Sequence, residues 1–281
     1  MNLMEELPGE LLSLLLNVTA CTSKLSIIIL ACTSNFFYKI ARNYAILHGI
    51  ERQIKCKNIA YEGSLNILKW ARENGCKWDG STCTYAALGG HLDVLMWARE
   101  NGCEWNSSTC AYAAKNGHLD VLKWAHGNGC KMGSGTCALA AENGHLDVLM
   151  WARENGCNWD SNTCAYAALG GHLDVLKWAI KNGCEWAYTT CVNAALNGHL
   201  HVLKWASENG WHWSGNICIS ATIGGHLHIL KWIREIGYHF DYDVCANAAL
   251  GGHLHVLKWA RENGCDWDSR TCDCAAQNGH L

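Results

Sequence analysis

A single 27-residue period runs through most of this chain and leaves little freedom in what it can fold into. Histidine follows glycine at His91, His118, His145, His172, His199, His226, His253 and His280, and Ser64 keeps the same register one unit earlier. Trp70, Trp97, Trp124, Trp151, Trp178, Trp205, Trp232 and Trp259 form a second column; Cys83, Cys110, Cys137, Cys164, Cys191, Cys218, Cys245 and Cys272 form a third. A period that never slips means one supersecondary element per unit, stacked because no unit can bury its apolar face alone. The skewed usage of 15 Trp and 28 Gly beside one Pro and 3 Phe follows from copying one short unit many times.

Within one unit, Cys83, Ala86 and Ala87 fall at i, i+3 and i+4, the stripe of a short helix, and Gly89-Gly90 stops it. A second helix over Leu92 to Glu100 turns Val94, Leu95, Trp97 and Ala98 to an apolar side, with Asp93 placed favourably for the helix dipole. Asn101-Gly102 ends it, and Asn106 or Ser107 can cap the next helix. No run alternates apolar and polar residues over a strand's length, so the expected fold is all-α, a helix-turn-helix solenoid. An elongated stack of about eight helix pairs is expected. The final unit, ending at Gln277-Asn278-Gly279-His280-Leu281, is read as incomplete, with its Cys272 and Ala276 face partly wet.

The formal charge of −3 supplies no basic surface for a nucleic-acid backbone, so nucleic acid is not expected as a partner. The acidic start, Met1-Asn2-Leu3-Met4-Glu5-Glu6, does not resemble a secretory signal, and the apolar run Leu25 to Leu30 is too short to span a bilayer. The chain therefore reads as cytoplasmic, without a membrane partner, and as a monomer. In such a compartment the 18 cysteines are expected to be reduced thiols.

The pattern Thr-Cys-x-x-Ala-Ala-x-x-Gly-His-Leu-x-x-Leu-x-Trp, closing on Asn-Gly-Cys-x-Trp, resembles the ankyrin repeat. Ankyrin units usually run to about 33 residues. Here both helices and both glycine turns are present, while the Thr-Pro-Leu-His opening and finger loop are not. Units this short look like those of the ankyrin proteins abundant in giant DNA viruses of protists, which would place the chain in a host cytoplasm. The resemblance covers roughly Cys56 onward and implies a protein-binding scaffold.

Residues 1–50 leave the register and read as a helical segment, with ankyrin-like repeats over 51–281. Leu7-Pro8-Gly9-Glu10-Leu11-Leu12-Ser13-Leu14-Leu15, with the late aromatics Phe36 and Phe37, resembles an F-box, which docks on a Skp1-type adaptor of cullin ubiquitin ligases. Pro8 suits a first helical turn, and Leu11, Leu12 and Leu15 share one face. The resemblance makes Leu7, Pro8, Leu11, Leu12 and Leu15 the docking residues. The alternative is a cap covering the first repeat.

The remaining motifs read as structural. Equivalent cysteines in adjacent units should sit roughly 8–10 Å apart, too far to share a zinc ion, and Trp211 and Tyr238 replace cysteine in the Cys103 column. No metal or cofactor is expected. Eight histidines in one column point to a repeated turn hydrogen bond, and His201, His228 and His255 read as drift on a solvated helix start. The tryptophans at Trp78, Trp105, Trp159, Trp186, Trp213 and Trp267 read as packing between units, and the lysines at Lys69, Lys123 and Lys177 as a solvated face. No nucleophile elbow or phosphate loop occurs, so an enzyme is not expected.

Recognition should then fall to first-helix positions that vary while their surroundings stay constant. Tyr85, Tyr112, Leu139, Tyr166 and Asn193 form one such column, continued by Ser220 and Asn247. Leu88, Lys115, Glu142 and Leu169 form the other, continued by Leu196, Ile223 and Leu250. The expected function is a protein–protein interaction module that recruits a target to a cullin-type ubiquitin ligase; the alternative is a structural scaffold or virion component.

Overall fold

The computed structural model describes residues 55–73, 75–211, 216–237, 242–266 and 269–280. The expected docking segment around Leu7 to Leu15 and the expected boundary near residue 50 lie outside the described residues. Among those described, every regular element is an α-helix. In chain order they are α1 (Cys56–Tyr61), α2 (Leu65–Glu73), α3 (Gly80–Gly89), α4 (Leu92–Glu100), α5 (Ser107–Lys115), α6 (Leu119–Gly127), α7 (Ser134–Glu142), α8 (Leu146–Glu154) and α9 (Ser161–Gly170). There follow α10 (Leu173–Lys181), α11 (Tyr188–Leu196), α12 (Leu200–Glu208), α13 (Asn216–Ile223), α14 (Leu227–Glu235), α15 (Tyr242–Leu250), α16 (Leu254–Glu262) and α17 (Ser269–Gln277). Odd-numbered helices open a repeat and even-numbered helices complete it. The chain forms two compact units, residues up to Thr109 and residues from Cys110 on.

The helix ends follow from local chemistry. In the first unit the Asp79 carboxylate accepts from the Ser81 amide at 2.9 Å, satisfying one orphan donor of α3. At the far end Gly90 is left-handed at φ 76°, its N–H reaches the Ala87 carbonyl at 3.3 Å, and the His91 N–H reaches Ala86 at 3.0 Å. Helix α4 stops the same way: Gly102 is at φ 81°, bonded to Arg99 at 3.0 Å, and Cys103 is bonded to Ala98 at 2.9 Å. Both ends are Schellman closures, in which only glycine adopts the turn without strain. Gly-His and Gly-Cys are thus one device used twice, with the residue after the glycine turned back along its helix.

The core forms from two stripes. On α3, Cys83, Ala86 and Ala87 are fully buried, and on α4 so are Val94, Leu95 and Ala98. In the second unit Cys164, Ala167 and Ala168 on α9 meet Val175, Leu176 and Ala179 on α10 in the same way. Opening helices pack chiefly on opening helices: α1 on α3 in the first unit, and α7, α9, α11, α13, α15 and α17 in series in the second. Alanine and cysteine allow that approach, because interaxial distance depends on the side chains at the contact. The larger Leu and Val fill the space between the two helices of a pair. One polar column lies inside: the Thr163 and Thr190 hydroxyls are buried with no hydrogen-bond partner among the described residues. Ile217 and Val244 hold the same register, each 1% exposed, so the position requires a branched side chain and not its hydroxyl.

Helix α17 is held on α15 by an Arg270–Asp243 ion pair at 3.3 Å and by the Asn278 amide donating to the Leu250 carbonyl at 2.8 Å. Its Cys272 and Ala276 are exposed, whereas the equivalent Cys164 and Cys191 of interior repeats are buried.

Candidate functional site

Positions 85 and 88 lie one turn apart on the same helix face, beside a stripe that is wholly buried. In the first unit Tyr85 and Leu88 are half-buried on α3. The Tyr85 ring meets Tyr61 edge-on at 6.4 Å between centroids, and the Lys57 ammonium lies 5.2 Å over it. In the second unit Tyr112 and Lys115 on α5, Leu139 and Glu142 on α7, Leu169 on α9 and Asn193 on α11 are all half-buried. Tyr166 is 37% exposed, and farther along Leu196 is 37% and Ile223 46% exposed. These columns therefore flank the core, except at Ser220, which is buried. Asn193 is an exception in kind, because its amide donates to the Ala165 carbonyl at 3.1 Å and ties α11 to α9. Asn247 likewise donates to the Asp243 carbonyl of its own helix at 2.8 Å.

The histidines do more than close a turn. Nε2 of His91 bonds the Tyr61 carbonyl at 2.9 Å in the first unit; His199, His226 and His253 bond Leu169, Leu196 and Ile223 at 2.9, 2.9 and 2.8 Å in the second. Each acceptor is a carbonyl at the C-terminal end of the preceding repeat's opening helix, where partners are otherwise lacking and positive charge is favoured. His201, His228 and His255, expected as drift, bond Gly171, Gly198 and Gly225 at 2.8, 3.0 and 3.0 Å. The divergence rule for positions i and i+2 fails here because His199, His226 and His253 are N-caps, outside the helical spiral. The paired rings meet edge-on, 5.9 Å apart for His199 and His201.

Burial holds the His199 and His226 pKa values below the ordinary histidine range, against the opposing effect of their carbonyl hydrogen bonds. The unfolded chain therefore binds protons at pH values where the folded chain does not, and the stabilisation present at neutral pH is lost on acidification through the histidine range. Thermal unfolding at about pH 7.5 and 5.5, either side of the ordinary value near 6.5, checks this. The double variant His199→Gln/His226→Gln keeps an amide donor that does not titrate and should lose part of the acid sensitivity. An unchanged pH difference would assign the effect to other groups.

On the second helices, tryptophans interlock with cations. In the first unit Trp78 meets Trp97 edge-on at 5.5 Å, the Arg72 guanidinium lies 4.1 Å over Trp78, and Lys69 lies 5.9 Å over Trp97. Arg99 covers Trp105 at 4.2 Å and donates to the Cys103 carbonyl at 2.6 Å. In the second unit Trp159 meets Trp178 at 5.7 Å, Arg153 covers Trp159 at 4.2 Å, and Lys177 lies 5.9 Å over Trp205. Trp78, Trp159 and Trp186 meet tryptophans of the following repeat as expected from the sequence, while Trp213 and Trp267 lie outside the described residues. The lysine column is not simply solvated, since Lys69 and Lys177 sit over aromatic faces of the following repeat.

Most of the cysteines are buried and free, as expected, and they also pair in a way the columns did not show. The relevant neighbours belong to one repeat, 20 residues apart: Cys56 Sγ is 2.7 Å from Cys76 Sγ, and Cys245 Sγ is 3.3 Å from Cys265 Sγ. Cys83 and Cys110 reach the Cys103 and Cys130 carbonyls at 3.8 and 3.7 Å. The Schellman closure after each second helix brings its cysteine back beneath the start of the opening helix. Burial pushes the Cys56 and Cys245 thiols up to about 12. Cys103, Cys157 and Cys184 are lowered, first by hydrogen bonds from Cys83, Cys137 and Cys164. Among the described residues no group of three or more His, Cys, Asp or Glu is placed to hold a metal ion, and no helix is long and apolar enough to cross a membrane.

Residues 83–126 match the family model of ankyrin repeats (many copies). Among solved structures, the ankyrin repeat domain of human ASB11 is similar at 18% identity and a TM-score of 0.45, over 55% of this chain and 83% of that one. No curated protein matches. The fold is all-α, an ankyrin-like helix-turn-helix repeat in each unit.

Proposed function

We propose that this chain is a protein–protein interaction module whose opening-helix face recruits a target protein, and whose first 50 residues deliver that target to a Skp1-type adaptor of a cullin ubiquitin ligase. The observation that carries the recruiting role is the openness of the 85 and 88 columns beside a constant buried stripe. Residues of the stripe are nearly constant, departing only at Ile59 and Thr222, and being buried they cannot discriminate targets. The columns offer Tyr112, Lys115, Leu139, Glu142, Tyr166 and Leu169 in changing order, and tyrosine is enriched among residues that dominate binding energy. Tyr166 is the best single contact, being the most exposed of the tyrosines in this column and making no side-chain hydrogen bond among the described residues. The chain performs no catalysis in this reading and acts as a monomer in the cytoplasm, that of a host as the viral resemblance implies.

Two measurements test the two halves separately. Proteins captured by the full chain from a lysate should be lost, by roughly tenfold or more, from Tyr166→Ala with unchanged thermal stability; a fall in stability alone would make the column part of the core. Purified Skp1-type adaptor should bind the full chain, and Leu11→Asp/Leu12→Asp should abolish binding, because two apolar anchors would each forfeit about 1.5–3 kcal/mol of burial. If the wild-type chain does not bind the adaptor, the ligase link fails while the recruiting role stands.

A further inference from the structure

We propose that Cys56 and Cys76 are a redox dithiol, a site of exchange with small-molecule disulfides such as oxidised glutathione, and that exchange closes them into a disulfide within their own repeat; Cys245 and Cys265 are a second site of the same kind. The geometry is the first support. Their sulfurs stand 2.7 and 3.3 Å apart, and small side-chain rotations would bring either pair to the roughly 2.05 Å of a disulfide. The backbone is held for it: the Cys76 N–H bonds Ala71 at 2.8 Å, and Arg72 donates to the Cys76 carbonyl at 2.7 Å.

The two sulfurs have different roles. Cys56 is 1% exposed, while Cys76 is half-buried and open to a small reagent. The Cys76 thiolate attacks one sulfur of glutathione disulfide, forming a mixed disulfide and releasing one glutathione, which takes up the proton Cys76 gave up. Cys56, deprotonated in turn, attacks the Cys76 sulfur and expels the second glutathione. Two protein thiols are oxidised to one disulfide, and one small disulfide is reduced to two thiols. The bond would pin α1 to the segment after α2. Cys103, Cys157 and Cys184 also neighbour a cysteine of their own repeat, but each is buried, closed to a small reagent, and each thiol is directed at a backbone carbonyl at 3.3 Å, of Asp79, Gly133 and Asp160. Cys245 and Cys265, 0% and 2% exposed, should react only on local opening.

The test uses the reduced full chain, incubated with oxidised glutathione, quenched with an alkylating agent and mapped by mass spectrometry without reduction. The Cys56–Cys76 cross-link should accumulate first, about tenfold or more ahead of any Cys83–Cys103 link, followed by Cys245–Cys265. Cys56→Ser should instead accumulate a glutathione adduct on Cys76, since the resolving thiol is gone. A stable adduct on Cys76 in the wild type, links from Cys56 or Cys76 to other cysteines, or an unmodified Cys76 would each overturn the first site. Absence of the Cys245–Cys265 link after prolonged exchange would overturn the second. Should Cys56→Ser lose its helical circular dichroism, the wild-type cross-link map decides alone.

Discussion

Leu176→Ala is expected to cost the second unit about 2–5 kcal/mol, among the largest effects of any single truncation there. Leu176 is fully buried on α10, which packs on α9 and its buried stripe of Cys164, Ala167 and Ala168. Truncation removes the transfer energy of a whole isobutyl group and leaves a cavity that the flanking alanines are too short to fill. Because stacked repeats contact only their neighbours, the loss should appear first as local opening. Amide exchange in α9 and α10 should quicken more than in α15 and α16, and the urea transition should broaden as cooperativity falls. Lys177→Ala, next in the chain and exposed, gives up only its contact with Trp205 and should stay within about 1 kcal/mol of wild type. A Leu176→Ala variant as stable as Lys177→Ala would mean that the register of α10 is wrong.

Gly171→Ala is expected to cost about 2–3 kcal/mol, by a route that involves no core side chain. Gly171 sits at φ 75°, where a Cβ costs roughly 1–2 kcal/mol. The added Cβ would also overlap the His199 ring, whose Nε2 bonds the Leu169 carbonyl. Displacing that ring forfeits about 1 kcal/mol more. The two contributions separate in a double-mutant cycle. His199→Ala should make Gly171→Ala less damaging, because the clash disappears while the backbone strain remains. Equal costs in both backgrounds would show that the ring does not lie on the glycine.

The repeat, the helix pairs and the two buried stripes were legible in the sequence because each depends on neighbours a turn or less away. Asn-Gly and Gly-His mark Schellman closures through the conformational freedom of glycine at Gly90 and Gly102. Spacing of three and four residues places Cys83, Ala86 and Ala87 on one side, and it does the same for Val94, Leu95 and Ala98. That positions 85 and 88 flank this stripe follows from the same arithmetic. Spacing could not tell Tyr166, left open, from Asn193, whose amide is engaged by Ala165, since that depends on how closely α11 approaches α9. The contacts across 19, 20, 28 and 30 residues were likewise decided only in three dimensions: Trp78 on Trp97, Cys56 on Cys76, Lys69 over Trp97, His199 on Leu169. Each requires the interaxial distance and the side-chain rotamer together, and a periodic sequence specifies only that such a contact, once made, will recur.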